Sequence, residues 1–344
     1  MLKYDATVVI ASKNRFLHAK SLLESLDSQI TKFNLQIIVI DDGSNEDYRS
    51  LVSRRWIFEV VRNNVSIGPG RARNQGSQLA EAEILIFTDD DCRPNPHWIE
   101  LIISTLHSGK YLAVTGPVKV HSDKHLIFRY LRSSLILSPL EISLSKPRTN
   151  VQRLRSYLKF LVGRTTADNA PRFVYATGTA NLSVLRKVFR EINGFDPRFE
   201  FSGEDHDLCR KIFSLGGQGI WFSPDIELDH IYDKKISDSI RRVLAYSRGN
   251  ELMRNKFPDK GIIIFPVPLL PLASVIFIPY VNHQLIFTII FGTPLCYIRY
   301  LKQCFLEKRI EPIVYLYIQY FFEGLSNIEV VRLYLLRLIN RFKS

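Results

Sequence analysis

The sequence predicts an α/β fold built on a doubly wound, mostly parallel sheet, followed by a C-terminal hydrophobic helical hairpin and amphipathic helices. Three observations carry this expectation. Short apolar runs alternate with amphipathic stretches from Ala6 to about Pro117, the pattern of strand, helix, strand repeats. Polar clusters directly follow three of those runs, at the carboxyl ends of strands, where sheets of this kind bind ligands. Residues 261–298 contain no Asp, Glu, Lys or Arg, and later segments set aromatics and leucines beside basic residues.

Strands are expected at residues 6–11, 35–40, 58–61 and 84–88, each β-branched or otherwise apolar and each followed by polar or glycine-containing turn material. Helices are expected at 16–28, 46–53 and 70–82, the first with Leu22, Leu23 and Leu26 as its inward stripe. Residues 119–171 form a basic insertion, with helices near 126–137 and 151–162. Regular patterning returns with a strand at 173–176, a helix at 183–192, and a helix that opens near Glu204 and stops at Gly216-Gly217. The expected layout is a catalytic domain at 1–256, a hydrophobic membrane hairpin at 257–310 and amphipathic helices at 311–344.

The 344 residues, 46% of them hydrophobic, can bury a core without staples, which excludes global disorder. Basic residues exceed acidic ones by 12, which points to an anionic partner: a phosphate-bearing ligand, nucleic acid or an acidic membrane face. No zinc finger, aromatic RNA-binding signature or long basic helix supports nucleic acid. Cys92, Cys209, Cys296 and Cys304 stand far apart, so neither a zinc site nor a disulfide framework is read from them, and a reducing cytoplasm is the simpler setting. The N-terminus lacks the long apolar stretch of a secretory signal, so the chain is expected to start in the cytosol.

Asp89, Asp90 and Asp91 close the fourth apolar run, and clustered carboxylates are costly unless a cation offsets their repulsion. A divalent metal, Mn²⁺ or Mg²⁺, would suit them; an acidic loop capping the next helix is the other reading. Asp41-Asp42-Gly43-Ser44 taken alone reads as a turn. Gly68-Pro69-Gly70-Arg71-Ala72-Arg73-Asn74 is a glycine-rich approach to a helix whose amides and arginines suit a pyrophosphate, without the pattern of a dinucleotide fold or P-loop. Glu204, Asp205 and Asp207 at a helix start would complement its dipole in an isolated segment.

In order, VVIASKNR, IVIDDGS, GPGRARNQG, FTDDD, TGTANLS, NGFDPRF and GEDHDLCRK resemble the motifs of an inverting, membrane-associated, bacterial-type family 2 glycosyltransferase of the GT-A fold, over about residues 7–230. The resemblance implies that Ala11 and Arg15 border the nucleotide, that Asp41 or Asp42 reads the base edge, and that Arg71 and Asn74 look toward base and diphosphate. It implies a DxD motif in which Asp89 approaches ribose or metal and Asp91 the metal, with Asp90, counted in the nucleotide site, where many relatives carry a small residue. Asp205 stands where such enzymes keep the catalytic base, Glu204 beside it orients the acceptor or tunes the base, and His230 is either a metal or diphosphate neighbour or structural. The implied activity is metal-dependent transfer of a hexose from a nucleotide diphosphate sugar to a lipid-linked or polysaccharide acceptor at the cytosolic membrane face. A sugar nucleotidyltransferase and a non-catalytic sugar-nucleotide scaffold are the alternatives.

The uncharged region divides at Asn282-His283-Gln284 into arms 262–281 and 285–298, flanked by basic residues on both outer ends. Pro266, Pro268, Pro271 and Pro279 crowd the first arm, so a re-entrant or interfacial hairpin competes with a double crossing, and a buried soluble core with both. Residues 313–322 and 330–342 are expected to lie on the membrane surface, or to pack against the catalytic domain or a second subunit of a homo-oligomer.

Overall fold

The structure, a computed structural model, describes residues 3–121, 124–134, 139–146, 148–164, 170–200, 202–232, 235–257, 263–275, 289 and 291–343. The chain divides into two compact units, residues 1–132 with 169–232 and residues 133–168 with 233–344.

The first unit opens on β1 (Ala6–Ser12), α1 (Phe16–Asp27), β2 (Leu35–Asp41), β3 (Ile57–Arg62), α2 (Pro69–Leu79) and β4 (Ile84–Asp89), close to the expected bounds. There follow β5 (Cys92–Pro94), α3 (Trp98–His107), β6 (Ala113–Thr115), β7 (Val118–Val120) and α4 (Leu126–Ser133). In the second unit lie α5 (Pro139–Ser145) and α6 (Asn150–Leu161), after which the chain returns to the first with β8 (Arg172–Val174), β9 (Leu182–Leu185), α7 (Arg186–Glu191), α8 (Glu204–Gly216), β10 (Ile220–Phe222) and β11 (Leu228–His230).

The main sheet runs β3-β2-β1-β4-β9-β6-β10-β8, parallel from β3 to β4 and mixed beyond. Its central strands are apolar on both faces because helices cover both, as parallel sheets require. Val8, Ile10, Ile37, Val39, Ile84 and Ile86 pack with Leu22, Leu23 and Leu26 of α1 and with Trp98, Ile99 and Ile102 of α3. The alternate residues Val9, Leu85 and Phe87 pack with Val188 and Phe189 of α7 and Leu208 and Ile212 of α8. Helix α2 lies close enough that a Cβ at Gly76 would stand 2.5 Å from Val9 Cγ1, so this position admits only glycine without a shift.

Two expected helices are corrected. Of residues 46–53 only Tyr48–Ser50 forms a helical turn, because the Tyr48 ring is buried and its hydroxyl is engaged by Ser12 and Arg15. Residues 183–192 begin as β9, since Leu182 to Leu185 pair antiparallel with both β4 and β6, and only then turn into α7. The expected helices at 151–162 and after Glu204 form, the latter ended by Gly217 at φ 70°. Of the expected helix at 126–137, α4 is observed and 135–138 lie outside the described residues. A three-stranded sheet, β5-β11-β7, sets His230 opposite Cys92.

The second unit contains α5 and α6 together with α9 (Ile236–Lys256), α10 (Leu270–Val275), α11 (Ile298–Glu307) and α12 (Pro312–Lys343). Residues 236–256, grouped with the catalytic domain in the sequence reading, therefore fall here. Helix α9 meets α12 through Ser247–Ser326 at 2.8 Å and Arg248–Glu329 at 2.8 Å. Buried Glu323 accepts from the Tyr157 and Tyr297 hydroxyls and from Gln319 Nε2, a shared polar hub for α6 and α12. Segments 313–322 and 330–342, expected as separate, belong to one continuous helix with no internal proline. Much of the expected hairpin, residues 258–262, 276–288 and 290, lies outside the described residues; the described parts form one turn at Val267–Leu269, α10, one turn at Thr293–Cys296, and α11. Among the described residues no helix is long and apolar enough to cross a membrane.

Candidate active site

The carboxyl ends of β1, β2 and β4 open into a cleft of about 310 Å³, the size of a small-ligand site. Ala11, Arg15, Asp42, Asp89, Asp90 and Asp91, all expected in the site, line it, joined by Ser12, Lys13, Ser66, Gly68, Pro69 and Arg73.

Asp42 is the anchor of one wall. It accepts from the Ile67 and Gly68 N–H groups at 2.8 and 2.9 Å, from Ser66 Oγ at 2.7 Å and from Asn63 Nδ2 at 3.1 Å. Burial alone would raise its pKa, but these donors outweigh it and hold the carboxyl below its ordinary value. Gly68 permits this by adopting φ 90°, where a Cβ would stand 2.5 Å from the Glu200 carbonyl oxygen. Asp41 is fully buried and does not line the cleft; its Oδ1 accepts from the Ser44 N–H at 2.9 Å and its Oδ2 lies 3.4 Å from Arg62. Of the two carboxylates offered for the base edge, the structure puts Asp42 at the cleft.

The opposite wall is a run of carboxylates and cations. Ser12 Oγ donates to Asp90 at 2.6 Å, and Arg15 contacts both Asp91 and, at 3.5 Å, Asp90. Burial, then repulsion from Asp91, pushes Asp90 up to about 7, with Ser12 and Arg15 in partial offset. His230 Nε2 stands 3.2 Å from Asp91 Oδ1, and its ring stacks on Tyr232 at 4.1 Å. That Oδ1 is buried and accepts no hydrogen bond among the described residues. Asp91, Cys92 and His230 offer ligand atoms within 4.8 Å of one another. The Cys92 thiol is pushed well above its usual pKa, by burial first, and so stays neutral, which leaves the oxygen and nitrogen of Asp91 and His230 as the pair suited to a hard divalent ion.

Arg73 connects this wall to α8. It is buried, donating from Nη2 to Asp89 Oδ1 at 2.7 Å and from Nη1 to Glu204 Oε1 at 3.1 Å. Burial opposes its charge, but the Asp89 and Glu204 carboxylates prevail and raise its pKa. Gly203 at φ 90° starts α8, which carries Glu204 inward and leaves Asp205 partly open to solvent. Burial raises both acids above the ordinary carboxylate range, assisted for Glu204 by Asp205 and opposed for both by Arg73. Glu204 is thus committed to Arg73, whereas the Asp205 carboxylate accepts from the His206 N–H at 2.7 Å.

Arg71 and Asn74, expected to face the donor, are placed elsewhere. The exposed Arg71 guanidinium donates to the Pro197 carbonyl at 3.1 Å, and Asn74 clamps the Phe195 backbone, donating to its carbonyl at 2.8 Å and accepting from its N–H at 2.9 Å. Tyr48 was missed from the sequence, Ser12 was not singled out, and Arg73 was expected only as one of two arginines suited to a pyrophosphate, not as a bridge between carboxylates. Helical periodicity carries the signal for Arg73, which shares the buried stripe of Ala72, Gly76 and Ser77, while Arg71 two positions earlier points away. Tyr48, in an irregular stretch, has no such signal.

Residues 7–174 match the model of the family described as Glycosyl transferase family 2. A pre-mycofactocin glycosyltransferase of Mycobacterium tuberculosis is 27% identical over 262 residues, covering 74% of this chain and 49% of that protein. A hyaluronan synthase of Pasteurella multocida is 24% identical over 229 residues, covering 61% and 23%. The chain thus spans half or less of the length of these relatives. Among solved structures, a mannosyltransferase from Pyrobaculum calidifontis in complex with GDP-Man and Mn²⁺ superposes with a TM-score of 0.58 over 96% of this chain and 88% of that one, at 14% identity, a likeness of fold.

Proposed function

Because residues 7–174 belong to glycosyl transferase family 2, we propose that the chain transfers a sugar, with inversion, from a nucleotide diphosphate sugar to a lipid-linked or polysaccharide acceptor at the cytosolic membrane face. The observation that carries the reading is the bridge made by Arg73, which ties the carboxylate at the end of β4 to the acidic start of α8. One cleft then serves the donor, and the helix beside it offers a base.

In this reading Asp42, held ionised by its four donors, accepts an N–H of the nucleobase. Arg15 and Lys13 meet the diphosphate as cations of a cleft that also carries four carboxylates, Asp42, Asp89, Asp90 and Asp91. A divalent cation held by Asp91 and His230 would supply the charge that offsets the leaving diphosphate. Asp205 takes the proton of the acceptor hydroxyl as that oxygen attacks the anomeric carbon on the face opposite the diphosphate. Glu204, held by Arg73, keeps the start of α8 against the donor side rather than acting as base. A nucleotidyltransferase would leave the Glu204–Asp205 pair without a task.

The test incubates the detergent-purified chain with Mn²⁺ or Mg²⁺ and UDP-, GDP- and dTDP-sugars, with and without membrane lipid extract. The expected outcome is metal-dependent release of nucleoside diphosphate from one donor, increased by the extract. Pyrophosphate released from a nucleoside triphosphate in its place would overturn the reading.

A further inference from the structure

We propose that the corner between α11 and α12, with the outward stripe of α12, is the surface by which this chain docks onto an anionic lipid bilayer. The inference deepens the proposed membrane-face acceptor and rests on that reading. At the corner Phe305, Leu306 and Ile310 are 85%, 84% and 80% exposed, among the most exposed large apolar side chains described. The chain turns sharply there because Lys308 adopts the left-handed conformation, φ 52°, at the end of α11. Lys302, Lys308 and Arg309, all exposed, neighbour these three side chains in the sequence.

Helix α12 continues the surface with an exposed apolar stripe. Ile313, Tyr317, Phe321, Ile328, Val331 and Leu335, spaced by three, four or seven residues, are exposed. The side turned inward carries Gln319, Glu323, Asn327 and Glu329 together with Leu316, Phe322 and Val330, all buried. At 32 residues and about 1.5 Å per residue the stripe is long, yet no described helix is apolar enough to cross a membrane, so the contact lies in the plane of the interface.

Charge selects the occupant. Residues 298–343 hold eight Lys and Arg against four Asp and Glu, and two of the four acids, Glu323 and Glu329, are buried. Arg332 and Arg337 are paired with Glu329 and Glu251, so the cations at the apolar corner are the exposed Lys302, Lys308 and Arg309, the complement of an anionic headgroup layer above acyl chains.

The test floats the full-length chain on vesicles of phosphatidylcholine alone and of phosphatidylcholine with phosphatidylglycerol. Wild type is expected to float with the anionic vesicles, less with neutral ones, and less again in high salt. Phe305→Ser with Leu306→Ser and Ile310→Ser should cut partitioning by at least about tenfold, and Val331→Ser with Leu335→Ser by less, both with unchanged nucleoside diphosphate release from the donor in solution. If both variants float like wild type, another segment attaches the chain and the proposal fails. It fails equally if wild type ignores vesicles but sediments as a dimer that the corner variant dissociates. Flotation without donor turnover would sink the transferase reading alone.

Discussion

Arg73 and Glu204, 131 residues apart in the chain, meet at 3.1 Å inside the protein. The same guanidinium reaches Asp89, so one cation is shared by two acids from different elements. Removing one partner of a buried pair strands the other charges. Arg73→Met should therefore destabilise the protein by about 3 to 5 kcal/mol, read as a lower denaturant midpoint. An unchanged midpoint would mean that the bridge carries no stability.

Asp205→Asn should lower turnover by roughly 10²- to 10⁴-fold, as expected for loss of a general base, while calorimetry finds donor affinity unchanged. Glu204→Gln should cost less. Because burial raises the Asp205 carboxyl, and a base works ionised, activity should climb with pH along a limb above the ordinary aspartate range. Arg73 opposes that rise, so Arg73→Met should move the limb to still higher pH. A limb that stays in place would separate Arg73 from the base.

Asp91→Asn and His230→Ala should each raise the Mn²⁺ concentration for half-maximal turnover by at least about tenfold, the scale of losing even an outer-shell partner. Cys92→Ser should leave it unchanged, since the neutral thiol is a poor ligand for this ion. A metal titration of the three variants checks both; a shift confined to Cys92→Ser would reverse the assignment.

Glu323 gives the second unit its own pH dependence. Burial lifts it from 4.5 to about 7 despite the hydrogen bonds from Tyr157, Tyr297 and Gln319. An acid raised in the folded state favours folding while protonated, so its contribution is full below the unfolded value and is lost as pH rises through the folded one. The loss, from about pH 4.5 to about pH 7, has an upper bound of about 3 kcal/mol. Melting temperature should fall across that window in wild type and run flatter in Glu323→Gln; parallel curves would show that Glu323 does not titrate there.

The elements legible in the sequence were those whose pattern is local. β1 to β4 announce themselves as apolar runs, and Asp89 to Asp91 by following one of them. β9 does not, because Leu182, Val184 and Leu185 suit a helix as well as a strand, and only the open edges of β4 and β6 decide. Within the site, Asp42, Arg15 and the Asp triplet were read at the cleft, whereas Arg71 and Asn74 were drawn there by motif alone. Their true partners, the backbones of Pro197 and Phe195, lie more than a hundred residues along the chain, where neither spacing nor charge can point.

The strand order also bears on how this protein is made. β4, the strand that ends in Asp89, has β1 on one side and β9 on the other, and β9 follows the whole 119–171 segment. On the ribosome, the apolar edge of β4 must wait through the synthesis of that segment before its outer neighbour emerges. Nascent chains are therefore prone to edge-to-edge association at the strand that carries Asp89, and Glu204, Asp205 and His230 emerge later still. Slow translation of that stretch would lengthen the vulnerable interval, and a chaperone that shields the β4 edge would shorten it.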